Sequence, residues 1–189
     1  MIINFNQMNH DWPQRRIGKQ HDVCRAVGLH RYTNLQIADA TAGLARDAFI
    51  FAKLGANVTM IERHTAIAAA IQQALEACED IDLKSRLQFY HHDSREFLKH
   101  SDEYDVIYLD PMFPSDNRTA LAKKDLQRLQ AIVGHDSDSD ELLDLAKHKA
   151  RKRVVVKRHK YTPYLDAQTP SLSINGSSMR YDIYLMQAS

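Results

Sequence analysis

The stretch Asp105-Val106-Ile107-Tyr108-Leu109-Asp110-Pro111-Met112-Phe113-Pro114 decides how the rest of the chain is read. Its apolar run predicts a buried strand, and Pro111, which cannot donate to a sheet ladder, stops that strand and forces a turn. Asp110 is thereby placed at the carboxyl end of a buried strand, where open α/β sheets bind their ligands. The turn also frees the Pro111 carbonyl from the ladder, so two acceptors stand side by side with the flat ring of Phe113 two residues on. That set suits a planar amine. The alternative for Phe113 is a core aromatic packed under the loop.

Outward from this strand, the hydrophobic pattern alternates strand and helix, which argues for a parallel sheet covered on both faces. Residues 20–29 predict a lead-in helix with Val23, Ala26 and Val27 on one side. Residues 36–39 form the first strand, 46–54 a helix ended by Gly55, and 57–61 a second strand ending at Glu62. Thr65 is placed to cap a helix over 66–78, strand 87–91 follows, and a short helix leads into the Asp110 strand. Helices over 119–133 and 139–150 precede a strand over 153–157. The pattern then changes, because 172–174 and 181–185 flank Asn175-Gly176 and read as a closing antiparallel hairpin. The expected fold is α/β, a single domain over residues 1–189, with a short amino-terminal arm over 1–17 and a catalytic core over 18–189.

Composition narrows the class. With 189 residues, 44% hydrophobic and 26% charged, the chain suits one domain with a full core. No apolar run approaches the roughly 20 residues of a membrane span, and Met1-Ile2-Ile3-Asn4-Phe5-Asn6 lacks a basic start leading into an apolar block. The expectation is a cytoplasmic protein without a membrane partner. Cys24 and Cys78 suit reduced core thiols, and the ten histidines are scattered. Even His91-His92 on a strand point to opposite faces, so no metal is expected.

The net charge of +1 hides an uneven distribution. Asp136, Asp138, Asp140, Glu141 and Asp144 precede Lys147, Lys149, Arg151, Lys152, Arg153, Lys157, Arg158 and Lys160. Acid early and base late is what a helix dipole favours, so residues 138–152 read as a solvated helix with matched ends. Lys157, Arg158 and Lys160 read differently. They follow Val154-Val155-Val156, at the same sheet edge as Asp110 if the strands are parallel, where cations hold phosphates.

Five parallel strands closed by an antiparallel hairpin resemble the seven-stranded, Rossmann-like class I methyltransferase fold. Asp110-Pro111-Met112-Phe113 resembles the motif of methyltransferases that act on exocyclic amines of nucleobases. Three loops can then be checked at strand ends. In Asp39-Ala40-Thr41-Ala42-Gly43-Leu44-Ala45-Arg46-Asp47, small residues let the backbone pass close to a ligand and Gly43 allows the tight turn. Glu62 can accept both hydroxyls of a ribose, or be a surface acid paired with Arg63. His92-Asp93-Ser94 can read an adenine edge, and Asp93 can equally be a helix N-cap, the two roles being compatible. Asp47 at a helix start opposes a dinucleotide pyrophosphate. S-adenosylmethionine (SAM) lacks phosphates, and Asp39 or Asp47 can meet its ammonium while Arg46 meets its carboxylate.

Five stretches resemble the bacterial 16S ribosomal RNA guanine-N2 methyltransferases. They are Asp39 through Phe49, Glu62-Arg63, Tyr108 through Pro114, Val154-Val155-Val156-Lys157-Arg158, and Arg180-Tyr181-Asp182-Ile183-Tyr184. The resemblance implies SAM as cofactor, 16S ribosomal RNA or the small ribosomal subunit as partner, and cofactor contacts at Arg46, Asp47, Glu62, Arg63, Asp93, Ser94 and Asp110. Ala45 stands where the family usually has glycine, and the region before Gly18 is shorter than the family's extension. Methyl transfer makes N2 tetrahedral and positive, so Asp110 and the Pro111 carbonyl would stabilise the transition state while Phe113 stacks on the extruded base. RNA phosphates are expected at Lys157 and Arg158, with Arg15, Arg16, Lys123 and Lys124 as the fallback. Tyr161, Tyr164, Tyr181 and Tyr184 fit packing better than base stacking, and Trp12 is either an RNA contact or a docking anchor. Two other readings stand beside this one: an amine methyltransferase of DNA adenine or cytosine, and a non-catalytic RNA-binding protein on the same fold.

Overall fold

The computed structural model describes residues 3–15, 17–111 and 139–187. Its strands are β1 (Gln36–Asp39), β2 (Asn57–Glu62), β3 (Leu87–His91), β4 (Tyr104–Leu109), β5 (Ala150–His159), β6 (Leu172–Asn175) and β7 (Met179–Leu185). They form one sheet in the order β3-β2-β1-β4-β5-β7-β6. The first five pair in parallel, and β7 runs antiparallel to both β5 and β6. From β1 the chain winds outward through β2 and β3, then returns to β4 on the other side. The carboxyl ends of β1 and β4 therefore flank the topological switch point, the usual ligand crevice of such sheets.

The helices are α1 (Phe5–His10), α2 (Trp12–Arg15), α3 (Asp22–Val27), α4 (Arg46–Lys53), α5 (Thr65–Glu76), α6 (Ile81–Ser85), α7 (Ser94–His100) and α8 (Ser139–Lys149). Side chains alternate along a strand, so each central strand feeds two cores. Val106, Tyr108 and Val155 pack with residues of α3, α4 and α5. Ile107, Leu109, Val154 and Val156 pack on the other face with Leu98 of α7 and Leu142, Leu143 and Ala146 of α8. This period of two decides below which side of the sheet each cation of β5 reaches.

Several expectations change. β5 extends to His159, so Lys157 and Arg158 lie within the strand and pair with Tyr181 and Arg180 of β7. Thr65 is the first residue of α5 and not its cap; His64 holds the N-cap position without a side-chain bond. α6 was not expected, and it is started by Asp80, whose carboxylate accepts the Leu83 amide at 3.0 Å. In the amino-terminal segment Phe5 is buried and stacks on Phe49 with ring centroids 6.2 Å apart, while Trp12 meets the same ring edge-on at 5.8 Å. Trp12 is thus a docking anchor. Cys24 and Cys78 are buried free thiols, and burial pushes the Cys24 thiol up to about 12.

Met112, Phe113, Lys123, Lys124, Asp136, Asp138, the helix expected over 119–133, and Arg16 lie outside the described residues. Among the described residues, no helix is long and apolar enough to cross a membrane, and no group of three potential ligands is arranged for a metal ion.

Candidate active site

Parallel pairing sets Asp39 level with Tyr108, so the ends of β1 and β4 open into one crevice. The Ala40 amide donates to the Tyr108 carbonyl at 3.0 Å. Beyond it Thr41 works in two directions. Its amide donates to Asp39 Oδ1 at 3.2 Å, and its hydroxyl oxygen accepts the Asp110 amide at 2.6 Å. The second bond fixes the backbone where β4 ends and Pro111 turns the chain.

Side chains two apart on a strand share a face, so Tyr108 and Asp110 point the same way, toward α4. The Tyr108 hydroxyl donates to Asp47 Oδ2 at 2.6 Å. Leu109 pairs with Val156, which brings Lys157 of the neighbouring strand level with Asp110. Lys157 Nζ donates to Asp47 Oδ2 at 2.8 Å and to Asp110 Oδ2 at 2.9 Å. Among the described residues, Asp110 Oδ1 receives no donor. Among these residues one carboxylate oxygen is held and the other keeps its lone pairs.

The charges are unequal. Burial alone would lower the Lys157 ammonium, but the carboxylates of Asp110 and Asp47 outweigh it and raise the group well above its usual range. Lys157 therefore stays protonated. Burial lifts the carboxyl of Asp39 well above the ordinary carboxylate value, and the nearby Asp47 adds to the rise. Asp110 keeps 38% of its side chain exposed and is pulled both ways: burial raises it, Lys157 lowers it, Asp47 raises it again, and the net direction is upward. Three carboxyl groups thus surround one ammonium, a crevice suited to a further cation and hostile to phosphate.

The glycine loop closes against β2. Gly43 takes φ +49° and Ala45 φ +54°, both left-handed, so Ala45 occupies a backbone conformation that glycine adopts more readily. The Ala42 amide donates to the Ile61 carbonyl at 3.1 Å. Glu62 is buried, with Oε2 accepting the Gly43 amide at 3.0 Å and Oε1 the His64 amide at 2.8 Å. It does not pair with Arg63. Among the described residues each of its oxygens receives one amide and keeps a lone pair, which is what a ribose diol requires.

At the end of β3, Asp93 caps α7. Its Oδ1 accepts the Arg95 amide at 2.9 Å, the Arg95 guanidinium bonds both its oxygens, and Arg63 stands 3.9 Å from Oδ2. The Arg95 hydrogen bond, acting against partial burial, holds the Asp93 carboxyl below its ordinary value. Ser94 Oγ donates to the Ala40 carbonyl at 2.5 Å, tying α7 to the end of β1. Arg46 is exposed at the first position of α4.

The structure thus brings Asp39, Gly43, Asp47, Glu62, Asp93, Ser94 and Asp110 to one sheet edge, with Arg46 and Arg63 at its rim. It does not bring Lys157 and Arg158 to a phosphate-binding surface. Lys157 is 20% exposed and clamped by two carboxylates, and Arg158 is 5% exposed on the opposite face, where Nη2 donates to the Pro163 carbonyl at 2.6 Å. The reason is strand alternation: consecutive residues inside β5 cannot face one ligand. Thr41 and Tyr108 were missed in the sequence. The signal for Tyr108 was available, since it lies two residues before Asp110 on a strand.

Sheet order, the acidic switch-point crevice and the buried acid at the end of β2 define a class I methyltransferase that uses SAM. Residues 1–186 match the family model described as "Putative SAM-dependent methyltransferase". The chain belongs to this family and, within it, to the group of ribosomal RNA small subunit methyltransferase J. It is 43% identical over 176 residues to the protein of that name from Psychromonas ingrahamii, covering 90% of this chain and 69% of the relative. The Aeromonas hydrophila relative is 44% identical, with 90% and 71% covered. Among solved structures, the SAM-dependent methyltransferase NGO1261 from Neisseria gonorrhoeae superposes with a TM-score of 0.75 at 30% identity, covering all of this chain and 76% of that one. A T. thermophilus 16S rRNA N2-guanine methyltransferase, solved with AdoMet and guanosine, shares the fold at a TM-score of 0.57 and 16% identity, with 99% and 44% covered.

Proposed function

We propose that the chain transfers the methyl group of SAM to the N2 amine of a guanine in small-subunit ribosomal RNA, in the cytoplasm. The observation that carries this reading is the half-committed carboxylate of Asp110. Thr41 holds its backbone and Lys157 holds Oδ2, while among the described residues Oδ1 receives no donor at the carboxyl end of β4. The names of the relatives supply the RNA class, and Asp110 beside Pro111 supplies the amine chemistry.

The donor set fits SAM. Bound there, SAM supplies a methyl group activated by a sulfonium. Glu62 would take the ribose hydroxyls with its remaining lone pairs, and Asp39 and Asp47 would balance the ammonium. Arg46 would meet the carboxylate at the start of α4. Asp93 and Ser94 would shape the adenine end, the Asp93 carboxylate being largely engaged by Arg95 and Arg63.

Guanine N2 is a poor nucleophile because its lone pair is delocalised into the ring. Oδ1 of Asp110 and the Pro111 carbonyl would accept its two N–H groups, interactions that strengthen as the nitrogen becomes tetrahedral and positive. On receiving the methyl group the nitrogen would carry one proton too many, which it would shed to Oδ1 of Asp110 or to water. Lys157, already protonated, is not the base. It is a positioning residue that aims Asp110. The stacking role of Phe113 rests on the sequence motif.

Labelled SAM incubated with naked 16S ribosomal RNA, and with small subunits from cells lacking the enzyme, should yield N2-methylguanosine after digestion to nucleosides and mass measurement. Methyl on adenine or cytosine would redirect the assignment to another base amine. No transfer to any nucleic acid would leave a binding protein on this fold.

A further inference from the structure

With Lys157 and Arg158 turned inward, the RNA must be gripped elsewhere along the same edge, and the turn that follows β5 offers the chemistry. Tyr161 is 81% exposed, unlike the buried Tyr181 and Tyr184. Lys160 Nζ lies 5.8 Å from its ring centroid, and the exposed His159 ring lies 6.1 Å away, tilted by 55°.

This aromatic does not hang on a loose loop. Arg180 donates to the Lys160 carbonyl at 2.9 Å and to the Thr162 carbonyl at 3.0 Å, while a salt bridge to Asp182 at 2.7 Å holds the guanidinium itself. The Lys160 amide donates to the Ser178 carbonyl and the Thr162 amide to the His159 carbonyl, each at 3.0 Å. The carbonyls on both sides of Tyr161 are thus pinned to β7. Pinning lowers the entropy lost when a ligand stacks on the ring.

The position suits the reaction. Lys157 touches Asp110, and four residues of extended chain reach at most about 14 Å, so Tyr161 lies beyond the same end of β5 as the candidate site, within a few nucleotides' span of it. Strand alternation puts His159 on the Lys157 side of β5.

We propose that Tyr161, with His159 and Lys160, is a stacking platform for an unpaired RNA base near the target guanine, Lys160 meeting a phosphate. An exposed ring beside a lysine ammonium stacks any base face and favours a strand carrying negative charge. The inference rests on the RNA reading above.

The test uses the full chain and undermethylated small-subunit RNA, measuring KM for RNA, Kd for SAM and salt dependence. Tyr161→Ala should raise the KM for RNA by roughly fivefold to a hundredfold, and Tyr161→Phe, which keeps the ring, should restore most of it. Lys160→Ala should reduce the salt slope by about one contact. SAM affinity and melting temperature should hold in all three, since Tyr161 packs against little. An unchanged KM in Tyr161→Ala, or a Phe variant as impaired as Ala, overturns the platform while RNA methylation by the wild type still stands. Absence of RNA methylation by a wild type that binds SAM overturns both readings.

Discussion

β5 carries two consecutive cations into the protein, and the two sides of the strand treat them differently. On the α4 side Lys157 stands among Asp39, Asp47 and Asp110, three carboxyl groups to one ammonium. On the other side Arg180 is paired with fully buried Asp182, and the guanidinium groups of Arg158 and Arg180 are engaged by the carbonyls of Pro163, Lys160 and Thr162. Carbonyls accept from these guanidinium groups without titrating. The first side is short of a cation and can receive one, whereas the second is closed. Burial of charge alone does not mark a site; an unbalanced charge that opens on a crevice does.

The largest effect should come from the closed side. Asp182→Ala leaves Arg180, only 11% exposed, without its carboxylate, and breaking a buried pair from one side typically destabilises by about 3–5 kcal/mol. For a domain of this size that is a fall in melting temperature of roughly 6–20 °C. SAM affinity, measured well below that transition, should stay near wild type. A variant that melts normally but no longer binds SAM would erase the distinction between the two sides.

Asp110→Ala should show the opposite profile. Asp47 remains to hold Lys157, so the fold survives, while the crevice loses the acceptor that strengthens at the transition state. Loss of one such group typically lowers turnover by about 10²–10³-fold. SAM affinity should fall much less than kcat. Equal losses in the two would recast Asp110 as mainly a cofactor ligand.

The sequence displayed the fold better than the site. β1 and β3 were bounded as observed because polar residues punctuate short apolar runs, Thr33-Asn34 before β1 and His92-Asp93-Ser94 after β3, and the closing hairpin followed from Asn175-Gly176. α6 stayed hidden because a single turn has no periodicity to detect; its signal was the capping Asp80. At the site, the acids at strand ends were legible from position alone. Their partners were not, since Lys157 meets Asp110 through the register of β4 on β5 and Asp47 of α4 across 110 residues of chain. The error over Lys157 and Arg158 was avoidable. The alternation that separates His91 from His92 applies equally to two neighbours on β5, and it failed there only because the strand was expected to end at Lys157.

The smallest expected effect probes the unbalanced side most directly. Burial and the nearby Asp47 hold the Asp39 carboxyl well above its ordinary value, so without ligand the folded protein binds this proton more tightly than the unfolded chain does. Stability should therefore fall as pH rises from the ordinary carboxylate range through the raised value, because above it the folded state must carry a buried charge. A cationic ligand favours the ionised form, so SAM affinity should rise over the same interval, and binding should release a proton. Asp39→Asn keeps an oxygen for the Thr41 amide but removes the charge. The ligand-free variant should melt no lower than wild type above that interval, while its SAM affinity drops about tenfold and loses the pH dependence. Calorimetry in two buffers of different ionisation enthalpy reads the proton directly. Equal proton release by wild type and Asp39→Asn would show that Asp39 is not the group that answers the ligand's positive charge.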